Sequence, residues 1–363
     1  MEWRAAWSIT WENEWLKRRP GIERGSWRNV ASRHKTYLLI LVAAIAPALV
    51  FCWMRFTEPV YQGKRISEWL DNWAANNQNS AVSAISAIGT NALPYVIRNV
   101  ARNDSKFERK YRELQAKMPA TLQKVFPRPK PLLKPINGSN ALICVGSDAI
   151  PIAIGLLKHS SPSVREAAAS SIGYLRKKYA GAAQAIPALT VALGDRTKEV
   201  RFFALLSLRD MGPEASNAVS AIRGVLANSG IPPQTNDVYV RAAAALALGK
   251  IGPVATNALP DLRAALHEPN PYFRGQAAVA LWRISGDVDA ALPVLVRDLP
   301  SVGGTGAWDW IVALGEMGPT AKSAGPMLRA ELTRVGDRWV LEYITNALSS
   351  IEGTPFGGSK RAP

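Results

Sequence analysis

An internal repeat of 33 to 40 residues is the feature that most constrains the fold of this chain. Its pattern is a glycine, a few residues, an alanine, an apolar residue and a proline, as in AIGTNALP at 87–94 and KIGPVATNALP at 250–260. Counted from Pro151, the pattern returns in steps of 36, 33, 40, 33 and 33 residues, at Pro187, Ser220, Pro260, Pro293 and Pro326. A period of this length is typical of solenoids, in which each repeat buries its apolar face only against its neighbours.

Each repeat is predicted to fold as two helices. After Pro260, the segment DLRAALHEP places Leu262, Ala265 and Leu266 at helical spacing, and proline suits a first turn because its missing N–H would be unpaired there. Ahead of the glycine, VRAAAALALGKIG at 240–252 predicts a second helix, whose alanines allow neighbouring helices to approach closely. No strand-like alternation of any length occurs in the sequence, so the predicted fold is all-α.

These repeats resemble the HEAT-repeat superfamily, most closely its short bacterial form, the phycobilisome-lyase HEAT-like repeats. The resemblance covers about residues 81–351 with one interruption. It rests on a Val-Arg pair at the start of one helix, seen as Val164-Arg165, Val200-Arg201 and Val240-Arg241, and as Phe273-Arg274. The resemblance implies a right-handed α-solenoid of antiparallel helix pairs.

It also implies a structural role for the repeat arginines Arg165, Arg201, Arg241 and Arg274. Each is expected to brace neighbouring repeats through an acidic or polar loop residue, and the candidates are Asp195, Asp237 and Asn270. The later repeats depart from the pattern, since WDW at 308–310 and RWV at 338–340 replace the pair. Such a departure suits an atypical terminal cap.

A run of 19 uncharged residues at 36–54, TYLLILVAAIAPALVFCWM, is predicted to form a single transmembrane helix before the solenoid. At about 1.5 Å per residue it matches a bilayer core of roughly 30 Å. Seven Lys and Arg residues lie at 16–35 against three at 55–74, which predicts a cytoplasmic N-terminus and a repeat domain outside the cytoplasm. The apolar run ends in Phe51, Cys52 and Trp53 rather than small residues, so a retained signal-anchor is favoured over a cleaved signal peptide.

The other segments follow from composition and spacing. Residues 1–35 form a cytoplasmic amphipathic and basic segment, with tryptophans every four residues from Trp3 to Trp15; either a surface helix or a disordered extension fits it. Residues 55–80 hold a linker and a capping helix at Tyr61–Trp73, with Ile66, Trp69, Leu70 and Trp73 on one face. Residues 81–352 form the solenoid, and 353–363 a disordered tail.

A basic insert at about 98–135 interrupts the solenoid. It holds eleven Lys and Arg against three acids, a net charge of +8 out of the +16 of the whole chain. Lys106–Lys117 is predicted to be helical and the following FPRPKPLLKP extended. Candidate contacts to an anionic partner (lipid, polysaccharide or acidic protein) are Arg102, Lys106, Arg109, Lys110, Arg112 and Lys117. The alternative is a solvated excursion without a partner, and nucleic acid is disfavoured because the predicted topology places the insert outside the cytoplasm.

The sequence carries no recognisable catalytic, cofactor or metal motif: no P-loop, dinucleotide turn, H-E-x-x-H or C-x-x-C. Two cysteines and three histidines exclude a disulfide framework and a histidine-rich metal site. We therefore predict a non-enzymatic, cofactor-free scaffold or adaptor, anchored in the membrane, that binds proteins through the concave face of its solenoid. The alternatives are a lyase-like or enzyme-accessory solenoid with a small ligand in its groove, or, with reversed topology, a cytoplasmic solenoid that binds nucleic acid.

Overall fold

The computed structural model describes residues 58–75, 78–227, 238–304 and 306–353. The predicted N-terminal segment, the predicted membrane span at 36–54 and nearly all of the predicted tail lie outside these residues. The chain divides into two compact units, Met1–Pro59 and Val60–Pro363, and the repeats belong to the second.

The second unit begins with a small β-hairpin and a capping helix. Strand β1 (Val60–Tyr61) pairs antiparallel with β2 (Lys64–Arg65), and the turn places Gln62 and Gly63 at φ values of 48° and 74°. Helix α1 (Ile66–Ala74) buries the four residues predicted for its inner face. The predicted helix was wrong at 61–65, because two consecutive positive φ values turn the chain back into a strand pair.

The α-helices that follow alternate along the chain. They are α2 (Gln78–Ile88), α3 (Leu93–Ala101), α4 (Lys106–Lys117), α5 (Ala120–Gln123), α6 (Pro135–Val145), α7 (Ala149–Leu156), α8 (Pro162–Lys178), α9 (Ile186–Ala192), α10 (Lys198–Met211), α11 (Val219–Leu226), α12 (Val238–Ile251), α13 (Leu259–Ala265), α14 (Pro271–Ser285), α15 (Val288–Val302), α16 (Trp308–Met317), α17 (Gly325–Arg334) and α18 (Arg338–Glu352). We call α2, α6, α8, α10, α12, α14, α16 and α18 the leading helices of the repeats, and α3, α7, α9, α11, α13, α15 and α17 the trailing helices. Helices α4 and α5 belong to the basic insert. The predicted repeat of helix pairs is thereby confirmed.

The repeated glycine ends a leading helix. Gly252, at φ 81°, follows α12 and opens a 3-10 link, Gly252–Ala258, that leads into α13. Only a residue without a Cβ adopts this left-handed conformation at little cost. The proline of the pattern then lies in the first turn of α13, as predicted.

Pro293, the fourth proline of the series, behaves differently. Helix α15 begins at Val288, and Pro293 lies inside it rather than at its start. The reason is a local cap: the side chain of Asp287 accepts a hydrogen bond from the N–H of Ala290 at 3.0 Å. This cap starts the helix five residues earlier than the proline pattern predicts.

Successive leading helices pack tightly against one another. A Cβ added to Gly249 would lie 2.9 Å from Cα of Ala280, and one added to Gly315 would lie 3.0 Å from Cα of Ala347. The first distance is too short for a real Cβ and the second is shorter than most, so these helices approach more closely than a side chain at either glycine would comfortably allow. The trailing helices instead pack mainly on the leading helices beside them.

Within the described residues, the stretch Val238–Ala265 is long and apolar enough to cross a membrane by length and composition alone. It comprises α12, its 3-10 link and α13, and more than half of its most apolar window is buried in the protein. Its apolar character has an explanation within the solenoid, since α12 lies between two other leading helices.

Candidate interaction face

Two repeat arginines bind carboxylates that follow them in the chain. Arg165 binds Asp195, in the loop after α9, through two hydrogen bonds, from Nε to Oδ2 at 2.6 Å and from Nη2 to Oδ1 at 2.9 Å. Arg274 binds Asp298, on α15, in the same bidentate geometry at 2.8 and 2.9 Å. Bidentate pairs of this kind fix orientation as well as distance, so each arginine holds its leading helix against the segment that carries its partner.

The other two arginines also point into the protein. Nη2 of Arg241 lies 2.6 Å from Oε1 of Glu268, and its guanidinium covers the ring of Phe273 at 4.4 Å. Arg201 is buried and donates to the backbone carbonyl of Asp195 at 2.8 Å. Of the expected loop partners, Asp195 binds Arg165, Asp237 lies outside the described residues, and Asn270 caps α14 instead of binding an arginine.

The basic insert uses part of its charge internally. Glu108 is buried and accepts hydrogen bonds from Arg102 at 3.0 Å and Arg112 at 2.8 Å. Burial raises the pKa of Glu108, but the two arginines together lower it by more, so the pKa of Glu108 lies below its ordinary value. Lys117 forms a 2.6 Å pair with Glu113 in which both side chains are well exposed. An exposed pair of this kind contributes little.

The remaining predicted contacts to an anionic partner are free of such pairs. Among the described residues, no acid lies within ion-pair distance of Lys106, Arg109 or Lys110, and all three side chains are exposed. The structure therefore divides the six predicted residues into two that brace the insert, one in a surface pair and three open to solvent.

Aromatic side chains form the most distinctive surface of the leading helices. We define the aromatic face as Phe202, Tyr239, Tyr272, Trp308, Trp339 and Tyr343. Four of its members are large apolar groups left open to water: Tyr239 is 66% exposed, Trp339 45%, Trp308 43% and Tyr343 40%. Exposed aromatic groups gathered on one side of a protein are typical of binding surfaces.

The repeat register places these side chains together. One position is that immediately before the valine or phenylalanine near the start of a leading helix, and it holds Tyr239, Tyr272 and Trp339. A second position lies three or four residues further along the helix, and it holds Phe202 and Tyr343. Positions three or four residues apart share one helix face. Because the leading helices stack side by side, equal positions in successive repeats fall on the same side of the solenoid.

Ring contacts link the members of the aromatic face. Tyr239 and Tyr272 have centroids 5.9 Å apart, and Tyr272 stacks on the buried Trp310 at 6.2 Å. At the other end, Tyr343 contacts Trp308 and Trp339, each at 6.0 Å. These contacts restrain the rings, which lowers the entropy lost when a partner binds.

A cleft of about 170 Å³ opens between α10 and α12. It is lined by Lys198, Glu199, Phe202, Tyr239 and Val240. Glu166 lies in the preceding leading helix, and its pKa is raised to about 7 by burial and by the nearby charges of Glu199 and Asp104. Glu199, which lines the cleft, therefore lies near a carboxyl group of α8 whose charge changes around neutral pH.

A buried polar group supports the centre of the face. Asp309 and Gln276 are almost fully buried beside Tyr272 and Trp310. Burial raises the pKa of Asp309 more than the neighbouring Gln276 lowers it. The described residues contain no group of three or more His, Cys, Asp or Glu arranged to hold a metal ion. The aromatic face presents aromatic and apolar side chains and a few charged groups, which suit it to binding.

Sequence reasoning identified none of the residues of the aromatic face. A signal was present, since Tyr239 and Tyr272 occupy the position directly before the Val-Arg pair and its Phe-Arg variant. Aligning the repeats on that pair would have indicated a shared aromatic column.

A sequence model of the family described as HEAT repeats matches residues 147–229 and 234–300. The matched part of this chain is built of HEAT repeats. The matched residues contain the Val-Arg pairs and several of the repeat glycines and helix pairs described above. None of the curated proteins compared with the chain matches it.

Several solved structures are similar to this HEAT-repeat protein. The CpcE–CpcF complex of phycocyanin lyase from Nostoc sp. PCC7120 is 21% identical, with 65% of this chain and 98% of that chain covered and a TM-score of 0.43. A designed armadillo repeat protein in complex with the peptide (KR)4 is 19% identical, with 56% and 99% covered and a TM-score of 0.36. Human deoxyhypusine hydroxylase is 18% identical, with 68% and 97% covered and a TM-score of 0.27.

Proposed function

We propose that this HEAT-repeat protein is a non-catalytic scaffold that binds a partner protein through its aromatic face. The observation that carries the proposal is the set of four exposed aromatic side chains, Tyr239, Trp308, Trp339 and Tyr343, on the starts of leading helices. Tyrosine and tryptophan are the residues that most often dominate binding energy at interfaces. Since the leading helices pack closest together, we infer that they line the concave side of the solenoid, where an extended segment of a partner would lie.

A photo-crosslinking experiment tests this proposal. A photoreactive amino acid is placed at position 239 or 339 of the full chain in its native cells. Matched controls carry it at Val191 or Val254, which are 76% and 60% exposed but lie on a trailing helix and on a 3-10 link. We expect positions 239 and 339 to yield the same partner, identified by mass spectrometry, and the control positions to yield none of it.

Binding of the captured partner is then measured with purified proteins. Tyr239→Ala and Trp339→Ala are each expected to weaken affinity by roughly 30-fold, the loss typical of an aromatic hot spot of about 2 kcal/mol. Val191→Ala and Val254→Ala leave it unchanged. Equal adducts from all four positions, or unchanged affinity of both aromatic variants, would show that the partner binds elsewhere.

We further propose that the span at 36–54 anchors the protein, with the N-terminus in the cytoplasm and the repeats outside. Support comes from the length of the uncharged run and from the excess of Lys and Arg before it. Paired reporters fused after Pro363, one active only in the cytoplasm and one only outside it, test the orientation. A cytoplasmic signal would overturn it and would direct the search for a partner to the cytoplasm.

A further inference from the structure

The basic insert exposes apolar side chains as well as charge. Phe107 and Leu114 on α4 are 77% and 54% exposed, and Val125, just beyond α5, is 77% exposed. Helix α4 has the bounds predicted for it, Lys106–Lys117. Its exposed apolar side chains pack on nothing among the described residues that would bury them, so the insert presents large apolar groups to solvent.

The apolar and cationic groups lie on one arc of α4. At 100° per residue, Lys106, Lys110, Leu114 and Phe107 fall within about 100° of one another on the helix surface. The opposite side carries Glu108, which is buried with its two arginine partners. Helix α4 therefore has an inner side held by ion pairs and an outer side on which lysines and large apolar groups lie beside the exposed Lys117–Glu113 pair.

The insert is fastened to the solenoid, so this outer side has a fixed position. Asn99 Oδ1 accepts a hydrogen bond from the N–H of Leu133 at 3.1 Å, and Asn103 Nδ2 donates to the carbonyl of Leu133 at 2.6 Å. Lys130 pairs with Asp71 of the capping helix at 2.6 Å. These contacts clamp the returning chain and leave the outer side of α4 uncovered.

We propose that the outer side of α4 docks on the surface of an anionic bilayer. Phe107 and Leu114 enter the headgroup region, while Lys106 and Lys110 contact lipid phosphates and Arg109, about 60° further round the helix from Lys106, contacts them from the edge of this side. Helices that combine Lys or Arg with exposed Phe and Leu bind membrane interfaces in this way. The charge of the insert is complementary to such a surface.

An acidic polysaccharide would use the cations but not the apolar groups, which is why we commit to lipid. The inference rests on the proposed membrane anchor: the predicted span ends at Met54, and the described residues begin at Glu58.

The experiment uses the full chain in lipid nanodiscs. In a Cys52→Ser, Cys144→Ser background, an environment-sensitive fluorophore is attached at Leu114→Cys, or at Val254→Cys as the control position. The discs contain phosphatidylcholine alone or an equal mixture with phosphatidylglycerol, each with and without a nitroxide-labelled lipid. We expect blue-shifted, nitroxide-quenched emission at position 114 in the anionic discs only, and at position 254 in neither.

Two charge variants identify the cause. The combination Lys106→Gln, Arg109→Gln and Lys110→Gln is expected to abolish quenching. When the full chain is instead added to preformed anionic vesicles, the same combination is expected to weaken binding by roughly 100-fold, since each basic residue near such a surface contributes roughly fivefold. A matched control removes three exposed charges elsewhere, through Lys158→Gln, Arg196→Gln and Lys322→Gln, and is expected to keep full quenching. Phe107→Ser is expected to reduce quenching in the discs. It is not expected to change the emission at position 114 when an acidic polysaccharide is added in place of lipid.

The anchor and the docking surface are read separately. Co-elution of the chain with the discs reports the anchor, and quenching at position 114 reports the surface. If the chain does not co-elute, the vesicle measurement still tests docking. The proposal is overturned by unquenched emission at position 114 in anionic lipid, by equal quenching in neutral lipid, or by a response to acidic polysaccharide alone.

Discussion

Replacing Gly275 with alanine is expected to destabilise the solenoid at the contact between α14 and α16. A Cβ at this position would lie 2.1, 2.2 and 2.5 Å from three ring carbons of Trp310. Carbon atoms in contact prefer about 3.5–4.0 Å, so the indole would have to move by more than 1 Å. Trp310 is fully buried and stacks on Tyr272, which leaves it little room to move.

The expected cost follows from two opposing effects. Overpacking of a buried, rigid ring costs at least about 3 kcal/mol, the upper end of the usual range. Alanine in a helix returns about 1 kcal/mol relative to glycine. The variant Gly275→Ala should therefore lose about 2 kcal/mol or more in the free energy of unfolding, which corresponds to roughly 3 °C in melting temperature for a unit of about 300 residues.

Gly155→Ala in α7 provides a matched control, because an added Cβ there meets no atom within 4 Å. This variant should gain about 0.5–1 kcal/mol from helix propensity alone. Melting curves give the difference, and hydrogen exchange followed by mass spectrometry should show faster exchange in α14 and α16 of Gly275→Ala only. A Gly275→Ala protein as stable as Gly155→Ala would refute the placement of the Trp310 ring, and with it the support of Tyr272 in the aromatic face.

Three further variants test the electrostatics of the repeats. The pKa of Glu166 is raised to about 7, so folding favours the protonated form and stability is lost as pH rises from about 4.5 to 7. Because Glu166 is partly exposed, Glu166→Gln should be more stable than the parent at pH 8 by up to about 1 kcal/mol in the free energy of unfolding, and equally stable at pH 4. A lower melting temperature of the variant at pH 8 would contradict the raised pKa. For Asp298, burial would raise the pKa, but hydrogen bonds from Arg297 and Arg274 lower it to about 2. The ionised carboxylate therefore stabilises the fold above pH 3.8, and this stabilisation is lost toward pH 2. Asp298→Asn should cost about 2 kcal/mol in the free energy of unfolding at pH 7, and an unchanged melting temperature at that pH would be the contrary result. Burial raises the pKa of Asp309. Asp309→Asn should therefore stabilise the protein at pH 7 and lose this advantage at pH 3. Destabilisation at pH 7 would indicate that the carboxylate is held ionised in the native state.

Local pattern predicted the helices of this protein well. The bounds of α4 and the proline in the first turn of α13 follow from residues within a few positions of each other. Where local signals compete, sequence reasoning failed. The turn at Gln62 and Gly63 replaced the first turn of a predicted helix, and the Asp287 cap moved the start of α15 away from Pro293.

The candidate site depended on longer distances along the chain. Arg274 binds Asp298, which lies 24 residues away on a trailing helix and was not among the expected partners. Asn270, which was among them, is used by its own helix, since its side chain accepts a hydrogen bond from a first-turn N–H. The repeat pattern therefore did not decide which polar residue binds an arginine, because local capping competes for the same polar groups.

The sequence by itself determined that this chain builds a HEAT-repeat solenoid of helix pairs, since periodicity, glycine stops and proline starts act within one repeat. It also determined that a basic helix interrupts the repeats. Only the tertiary structure decided that Tyr239, Tyr272 and Trp339 share one face and that Phe107 and Leu114 remain uncovered. Helices form through contacts between residues close in sequence, whereas a surface depends on how helices of different repeats stack and which side chains that stacking leaves in water.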